Sequence, residues 1–237
     1  MHHLVPNPFE EGVVLLINKP LDWTSFDATR KVRNLVGIKK VGHAGTLDPL
    51  ATGLLIICTG RFTKRINEFM GAEKEYTGSI TLGASTVTYD LESEPGNLRD
   101  ISGLTERAIR EMTGNFTGEI MQIPPAHSAI KKGGVRAYEL ARAGKEIALE
   151  PRNIRISAFD ITKIELPKVY FRVICSTGTY IRSLAHDFGK ALDCGGYLSS
   201  LCRIRIGEYR IQQAMTMGEA ENWIRQKRLG IEPDQKG

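Results

Sequence analysis

Hydrophobic and polar positions along the chain predict strands and helices that follow one another without an internal repeat. The apolar run at residues 13–17 and the mostly apolar stretch LLIICT at residues 54–59 have the length of buried strands. Residues 76–82 alternate between apolar and polar positions, which is typical of a strand with one exposed face. The pattern also predicts strands at residues 153–166 and 169–176.

Apolar residues at helical spacing predict the helices. One helix begins with the capping pair Thr24 and Asp27 and ends at Gly37. Further helices are predicted at residues 64–70, 104–112, 138–143, 179–192 and 217–230. The side chains expected to face inward are Phe26, Val32, Val36, Ile66, Phe69, Met70, Ile181, Leu184, Ala185, Phe188 and Leu192. Because strands and helices alternate irregularly, the pattern favours an α+β fold over a doubly wound sheet.

Composition and charge limit the class of protein. The chain has 237 residues, of which 41% are hydrophobic and 25% charged, and no linker-like stretch divides it. Its net charge of +5 at pH 7 permits an anionic partner such as nucleic acid without requiring one. The four cysteines lack CxxC spacing, and no apolar stretch reaches the roughly 18 residues of a membrane span. We therefore expect a cytoplasmic protein with reduced thiols and no membrane association.

The stretch VGHAGTLDPLATG, at residues 41–53, is the main candidate for chemistry. Pro49 biases Asp48 toward extended backbone, and Leu47 and Leu50 are expected to anchor the loop in the core. One interpretation is an Asp–Pro turn whose carboxylate accepts backbone N–H groups. The other is a pre-oriented carboxylate that acts as a nucleophile or base without a cofactor. The spacing alone leaves both interpretations open.

Several segments, in order, are similar to the TruB family of tRNA pseudouridine synthases. They are KPLDWTSFDATRKVR, KKVGHAGTLDPLATGLL, GRFTK, EKEYTGSITLG, QIPPAHSAIKKGGVRAYELARAG and CSTGTYIRSLAHDFGKALDCGGYLSSLCRIRIG. The resemblance implies the pseudouridine synthase fold, in which helices and loops flank a mixed, largely antiparallel central sheet. It also implies a catalytic domain at residues 12–217, between an N-terminal extension at 1–11 and a C-terminal helix and tail at 218–237.

The resemblance implies an isomerase that converts uridine to pseudouridine at position 55 in the T-loop of tRNA. The base is detached from its sugar, turned and rejoined through carbon-5, with Asp48 as the catalyst on a flipped-out nucleotide. No atoms are lost, and the chain carries neither a GxGxxG nor a Walker motif, so we expect no cofactor and no metal. Three roles for Asp48 stay open: attack on the sugar, attack on the base, or proton abstraction at the sugar carbon.

Four further residues match active-site positions of the family, although each also has a structural interpretation. The tyrosine matching Tyr76 stacks on the target base, but on its own Tyr76 is more typical of a core tyrosine. Arg182 matches the ion-pair partner of Asp48, whereas alone it is typical of a solvated surface arginine. Tyr180 and Leu201 match pocket-lining positions, and alone both are typical of core residues.

The prediction of RNA binding depends on His43 and on a set of basic residues. His43 has no second His or Cys nearby at metal-ligand spacing, and the matching histidine of the family enters the RNA loop. A single basic residue is usually a solvated charge, but a set around the motifs forms a footprint for phosphates. The predicted contacts are Lys19, Lys39, Lys40, Arg61, Lys64, Lys131 and Lys132. We expect a monomer that binds tRNA and needs no obligate protein partner.

The chain departs from the family pattern in three places. His127 stands where the family commonly has tyrosine, and Phe62 replaces a usual alanine, so local RNA contacts are put in question. Many relatives carry a C-terminal RNA-binding PUA domain, whereas residues 217–237 have room for one helix and a tail, so we expect a short form. An RNA-binding factor that helps tRNA fold is the alternative function, and it is compatible with enzyme activity. An inactive RNA binder is the third possibility.

Overall fold

The computed structural model describes residues 7–127, 131–132, 135–136 and 149–231. The α-helices are α1 (Pro8–Glu11), α2 (Ser25–Val36), α3 (Ile66–Gly71), α4 (Glu106–Met112), α5 (Ile181–Ala191) and α6 (Met217–Arg228). The strands are β1 (Val14–Lys19), β2 (Val41–Ala44), β3 (Ala51–Thr59), β4 (Lys74–Leu82), β5 (Gly118–Gln122), β6 (Lys131–Lys132), β7 (Val135–Arg136), β8 (Arg152–Glu165), β9 (Lys168–Cys175), β10 (Gly196–Ile206) and β11 (Tyr209–Arg210). Short 3-10 helices occupy Gly60–Arg65, Thr113–Phe116 and Ile211–Gln213. The helix predicted at residues 138–143 lies outside the described residues.

The chain divides into two compact units, and the boundary falls within strands. Unit 1 comprises the described residues of Met1–Glu75 and Cys202–Gly237, and unit 2 comprises those of Tyr76–Leu201. Strands β4 and β10 therefore each contribute residues to both units. The domain bounds implied by the family resemblance follow sequence motifs rather than compactness, and they stay a prediction.

Largely antiparallel strands form the sheet in each unit. In unit 1, β3 pairs antiparallel with β1 and β2 and also neighbours β10, which in turn pairs with β11. In unit 2 the strand order is β10-β4-β9-β8-β5, and β8 pairs antiparallel with both β9 and β5. The predicted α+β class, with a mixed and largely antiparallel sheet, is confirmed.

Helix α2 follows from local signals in the sequence. The Thr24 hydroxyl accepts the backbone N–H of Asp27, and the Asp27 carboxylate accepts the backbone N–H of Thr24. Gly37 ends the helix in the left-handed conformation, with φ of 70°, and donates its N–H to the Arg33 carbonyl. The inner face of α2 packs with β1 and α6 in one apolar cluster. Its fully buried members include Leu15, Ile17, Ala28, Val32, Val36, Ala220 and Ile224.

Two side chains expected to face the core are exposed instead. Phe26 is 57% exposed, and the Arg30 guanidinium lies 5.7 Å from the centre of its ring. Met70 is 42% exposed, since Gly60–Arg65 forms a 3-10 helix and the turn that follows presents a different face from one continuous α-helix. In α5 the inward stripe is confirmed for Ile181, Leu184, Ala185 and Phe188, whereas Leu192, at the C-terminal cap, is half-buried. Strand β10 is absent from the predicted elements, because polar residues interrupt its apolar run.

Helix α5 and strand β10 meet at a pair of glycines in unit 2. A Cβ atom on Gly189 would lie 2.2 Å from the backbone nitrogen of Gly196, and a Cβ on Gly196 would lie 2.9 Å from the Gly189 Cα. The backbone N–H groups of Cys194 and Gly195 donate to the Gly189 carbonyl at 3.2 and 2.9 Å. Backbone meets backbone at this point, so no flexible side chain can move aside for a larger residue.

We expect Gly189→Ala to lower the free energy of unfolding by about 1–3 kcal/mol, because the added methyl group must push two backbone segments apart. Gly218→Ala in α6 is the matched control. None of the described residues has an atom within 4 Å of its added Cβ, and alanine is more favourable than glycine in a helix. Urea unfolding followed by circular dichroism measures both variants. Equal stability of the two would show that the contact at Gly189 relaxes without strain.

Candidate active site

The loop between β2 and β3 carries Asp48, and its backbone is fixed on both sides of that residue. Leu47 is 3% exposed, and its N–H donates to the Ser25 hydroxyl at 2.8 Å. The same hydroxyl donates to the Leu47 carbonyl at 3.2 Å, which joins the loop to the first turn of α2. The Ala51 N–H donates to the Asp48 carbonyl at 3.0 Å. Leu47 therefore anchors the loop as predicted, whereas Leu50 is only half-buried.

Lys19, the last residue of β1, supports the same loop with a buried ammonium group. Its side chain is fully buried, and Nζ donates to the carbonyls of Pro20 (2.9 Å), Trp23 (2.5 Å) and Pro49 (3.4 Å). Burial lowers the pKa of Lys19 to about 8, although attraction to Asp48 opposes that shift. This placement contradicts the prediction that Lys19 contacts RNA phosphates, because its ammonium group is buried and bound to backbone carbonyls.

Arg203 in β10 is a second buried cation beneath the loop. It is 1% exposed, Nε donates to the Leu54 carbonyl at 2.8 Å, and Nη2 donates to the Gly45 carbonyl at 3.1 Å. A Cβ on Gly53, whose φ is +102°, would lie 2.4 Å from the Arg203 carbonyl oxygen, so the strand requires glycine there. Sequence reasoning missed Arg203, because the pattern RIRIG does not show which arginine is buried.

His43 lies in β2 opposite Ile57 of β3 and is half-buried. Burial, together with the charge of Arg203, lowers the pKa of His43, so the imidazole is neutral at pH 7. Its Nδ1 is buried and has no hydrogen-bond partner among the residues that the structure describes. A neutral ring of this kind can stack on a nucleobase, which is the role predicted for it.

Basic side chains of unit 1 form an exposed group on two adjoining segments. Lys39 and Lys40 precede β2, and Arg61 and Lys64 lie in the 3-10 helix after β3. All four are exposed, and the Gly60 N–H donates to the Lys40 carbonyl at 2.8 Å, which joins the two segments. The side chains of two further predicted contacts lie outside what the structure describes: Lys131 and Lys132.

In unit 2, Arg182 occupies the first turn of α5 and is buried rather than solvated. Its Nε lies 3.6 Å from Asp90 Oδ2, and the side chains of Arg182 and Asp90 are 6% and 5% exposed. Its Nη1 donates to the Thr88 carbonyl at 3.2 Å, and Nη2 donates to the His127 carbonyl at 3.0 Å. The interpretation of Arg182 as a surface arginine is therefore wrong. Sequence reasoning missed Asp90, since nothing local distinguishes it from other acids in a turn-rich stretch.

The start of α5 is also bound to the end of β5. The Gln122 side chain donates to the Tyr180 carbonyl at 3.0 Å and accepts the Tyr180 N–H at 2.8 Å. The Ser183 hydroxyl donates to the Ile123 carbonyl at 2.8 Å. These bonds satisfy polar groups on both sides of Arg182, and they fix the direction in which the helix presents it.

Three other predicted pocket residues of unit 2 lie on regular elements. Tyr76 is in β4 and 8% exposed, and Leu201 is in β10 and 9% exposed. Tyr180 is half-buried at the N-terminal cap of α5. Their burial fits a pocket lining and a core position equally, so their role stays a prediction.

Of the two side chains that depart from the family pattern, Phe62 has a local explanation, whereas nothing in the described residues explains that of His127. His127 supplies its backbone carbonyl to Arg182, a contact that any residue could make. Phe62 packs against Gly12, where an added Cβ would lie 2.6 Å from the ring, and the Arg65 guanidinium lies 5.3 Å from the ring centre.

In residues 7–127 and 149–231, no group of three or more His, Cys, Asp and Glu side chains is arranged to hold a metal ion. No helix in this part of the chain is both long and apolar enough to cross a membrane.

Comparison with known families decides the class of the protein. The profile described as TruB family pseudouridylate synthase (N terminal domain) matches residues 33–181, more than half of the chain. The chain belongs to the TruB family. It is therefore a pseudouridine synthase, an isomerase, and the resemblance drawn from its motifs is confirmed.

Similar TruB-family proteins match the chain over nearly its whole length. The protein named tRNA pseudouridine synthase B from Flavobacterium johnsoniae is 53% identical over 219 residues, which cover 90% of this chain and 96% of that protein. The protein of the same name from Chlorobaculum tepidum is 53% identical over 213 residues, covering 88% and 89%. One from Bacteroides fragilis is 46% identical over 229 residues, covering 94% and 98%.

Solved structures that resemble this TruB-family chain come from larger proteins. A chain of a Cbf5-Nop10-Gar1 complex has a TM-score of 0.73 and 28% identity, and a chain of the archaeal box H/ACA sRNP Nop10-Cbf5 complex has 0.70 and 26%. Each match covers 94% of this chain but only 58% and 57% of the other, so the chain spans a little over half the length of those proteins.

We expect Lys19→Met to destabilise the protein, because three loop carbonyls lose their donor. The loss should also depend on pH. The pKa of Lys19 falls from 10.5 to about 8 on folding, so between these values the unfolded chain binds more protons and the wild type gains stability as the pH rises. The stability difference between wild type and variant should therefore be larger at pH 9.5 than at pH 7, measured by urea unfolding.

The control is Lys31→Met, at a partly exposed lysine of α2 whose side chain pairs with Glu221 at 2.8 Å. Its effect on stability should be small and similar at both pH values. A stability difference for Lys19→Met that stays constant or shrinks at the higher pH would contradict the assigned environment of the ammonium group.

Proposed function

We propose that this chain isomerises uridine to pseudouridine at position 55 in the T-loop of tRNA, with Asp48 as the nucleophile on a flipped-out uridine. The relatives named tRNA pseudouridine synthase B support the substrate class. The catalytic role of Asp48 is supported by the way its loop is anchored. Asp48 lies between Leu47, which is hydrogen-bonded to Ser25, and Pro49, whose carbonyl accepts a hydrogen bond from Lys19. A nucleophile held in this way loses little freedom when substrate binds.

The reaction requires one bond to the sugar to break and another to form. The N1–C1′ bond breaks, the C5–C1′ bond forms, carbon-5 loses a proton and N1 gains one, so uridine and product have the same atoms. Attack of Asp48 on the sugar carbon or on the base gives a covalent intermediate that holds the substrate while the base turns. Glycoside hydrolysis usually needs a second carboxylate to direct water. An isomerisation that must exclude water needs no such second carboxylate.

Arg182 is assigned as the partner that keeps Asp48 ionised and oriented. A guanidinium can bind a carboxylate through two parallel hydrogen bonds, which a lysine cannot do. The support lies in how Arg182 itself is held, since Asp90 and the carbonyls of Thr88 and His127 fix its plane inside unit 2. An arginine with its orientation fixed before substrate binds suits a positioning role.

The base-binding role falls to Tyr76, with Tyr180 and Leu201 as further lining of the pocket. Stacking of a base on an aromatic ring contributes about 1–3 kcal/mol, which offsets part of the cost of flipping the nucleotide out. His43 enters the RNA loop as a neutral ring. The exposed basic residues Lys39, Lys40, Arg61 and Lys64 bind phosphates, together with Lys131 and Lys132, so RNA affinity falls as salt rises.

The enzyme is proposed to act as a cytoplasmic monomer on tRNA alone. The substrate supplies every atom of the product, and the isomerisation has no redox step, so neither a cofactor nor an obligate protein partner enters the scheme.

We expect Asp48→Asn to abolish tritium release from tRNA labelled at carbon-5 of uridine, because a carboxamide is neither a nucleophile nor a base. Affinity for tRNA should stay within about threefold of wild type, since phosphate contacts dominate binding. Asp22→Asn is the matched control: it removes one charge from the same unit, and asparagine tolerates the φ of 63° at this position. Normal turnover by Asp48→Asn would overturn the catalytic assignment and favour an RNA-folding factor.

We expect Tyr76→Leu to reduce turnover at least tenfold while the protein stays folded, because leucine fills space but offers no ring for stacking. Tyr76→Phe separates stacking from any role of the hydroxyl group in proton transfer. Tyr209→Leu is the control, since it removes a ring that packs edge-on to Phe69, 5.7 Å between centres, in unit 1. An unchanged rate for Tyr76→Leu would return Tyr76 to a purely structural role.

A further inference from the structure

The turn at residues 87–90 of unit 2 contacts the Arg182 guanidinium through two of its residues. The Thr88 carbonyl accepts from Arg182 Nη1 at 3.2 Å, and the Asp90 carboxylate lies 3.6 Å from Nε. The second oxygen of that carboxylate accepts the Glu92 N–H at 3.0 Å. Two of the three groups that orient the guanidinium therefore flank a single residue, Tyr89, and the third is the His127 carbonyl.

Tyr89 adopts a backbone conformation that is unusual for its side chain. Its φ is +64°, in the left-handed region that aromatic residues rarely occupy. Its N–H donates to the Thr86 carbonyl at 3.3 Å, and its carbonyl accepts the Leu198 N–H at 2.9 Å. Its ring stacks on His186, with 3.9 Å between ring centres and 16° between planes. His186 lies one turn after Arg182 on α5, so one helix carries both the guanidinium and the stacking platform.

Both rings of the stack are uncharged at neutral pH. Burial, aided by the charge of Lys190, lowers the pKa of His186. Burial, aided by the charge of Asp187, raises the pKa of Tyr89. Nδ1 of His186 is buried and has no hydrogen-bond partner within the part of the chain that the structure describes. The imidazole therefore contributes its face to this contact rather than a hydrogen bond from Nδ1.

We propose that the Tyr89–His186 stack is a clamp that positions Arg182 for the isomerisation. The ring contact fixes the strained turn against α5, so that the Thr88 carbonyl and the Asp90 carboxylate stay within reach of the guanidinium. The inference rests on the proposed function, because it takes Arg182 as the group that orients the catalytic carboxylate. Tyr89 and His186 are positioning residues, since they act on the reaction through Arg182.

A positioning role predicts a loss of turnover with little change in substrate binding. Tyr89→Leu and His186→Leu each remove one ring, and each should lower kcat at least about tenfold with KM within about twofold. Tyr89→Phe keeps the ring and should retain kcat within about twofold of wild type. His186→Phe should also retain most of the turnover, because a phenyl ring can stack in the same place. The double leucine variant should be no slower than the slower single variant, as expected for residues that act as one unit.

The matched control for a purely structural contribution is Phe116→Leu. Phe116 packs edge-on to Phe188 of the same helix, with 5.9 Å between ring centres. This variant should lose stability without losing kcat. Thermal unfolding of every variant accompanies multiple-turnover tritium release at several tRNA concentrations.

The outcomes separate the clamp from the proposed function. The clamp is overturned if Tyr89→Leu and His186→Leu keep normal kcat. It is also overturned if these variants lose no more kcat than Phe116→Leu does when all three lose the same stability. If the leucine variants do not fold, failure of both phenylalanine variants to retain kcat overturns it as well. Asp48→Asn is measured in the same assay. If it is inactive while the leucine variants have normal kcat, only the clamp is rejected. If it is fully active, the proposed function is rejected.

Discussion

Buried positive charges must find hydrogen-bond acceptors inside the protein, and two of them in this chain, Lys19 and Arg203, each find one acceptor in the loop that carries Asp48. Lys19 donates to the Pro49 carbonyl and to two carbonyls of its own segment, while Arg203 donates to the Gly45 carbonyl. A buried cation that loses its acceptors costs several kcal/mol. Any movement that withdraws the loop from these groups is therefore unfavourable, and the loop is rigid for an electrostatic reason as much as for a steric one.

The same charges determine the electrostatic surroundings of the loop. Lys19 is attracted by Asp48 and repelled by Arg203, and the charge of Arg203 adds to burial in keeping His43 neutral. Around this loop, unit 1 thus brings together the Asp48 carboxylate, two buried cations and an uncharged imidazole. This arrangement suits an RNA substrate, because a neutral ring can enter a stack of bases while exposed lysines elsewhere bind the phosphates.

The elements that could be predicted from the sequence are those whose cause is local. The capping pair Thr24 and Asp27 and the terminal Gly37 act within a few residues, so the bounds of α2 follow from the chain alone. Phe26 shows the limit, since its apolar character suggested burial, yet it lies on the outer side of the helix beside Arg30. An apolar residue is not obliged to be inside.

Arg203 in unit 1 and Asp90 in unit 2 could not be predicted, because a buried charge depends on partners that are distant in sequence. Arg203 donates to the Leu54 carbonyl, which is 149 residues away in the sequence. Asp90 pairs with Arg182, which is also far from it in the sequence. Motif likeness named Asp48 and Arg182, since the motifs contain them, but it did not name the residues that hold them in place. Their identification required the path of the chain.

Backbone carbonyls do much of the positioning in both units, and this limits how far side-chain changes can disturb the site. Lys19, Arg203 and Arg182 all donate to main-chain oxygens, whose position depends on the path of the backbone rather than on the residue type. The His127 carbonyl binds Arg182 whichever side chain the residue carries, so the departure from tyrosine leaves this contact intact. Asp90 is different, because its carboxylate itself faces the guanidinium. A buried ion pair contributes little net stability once the cost of desolvation is counted. The contribution of this pair is to fix the plane of the Arg182 guanidinium before any substrate is present.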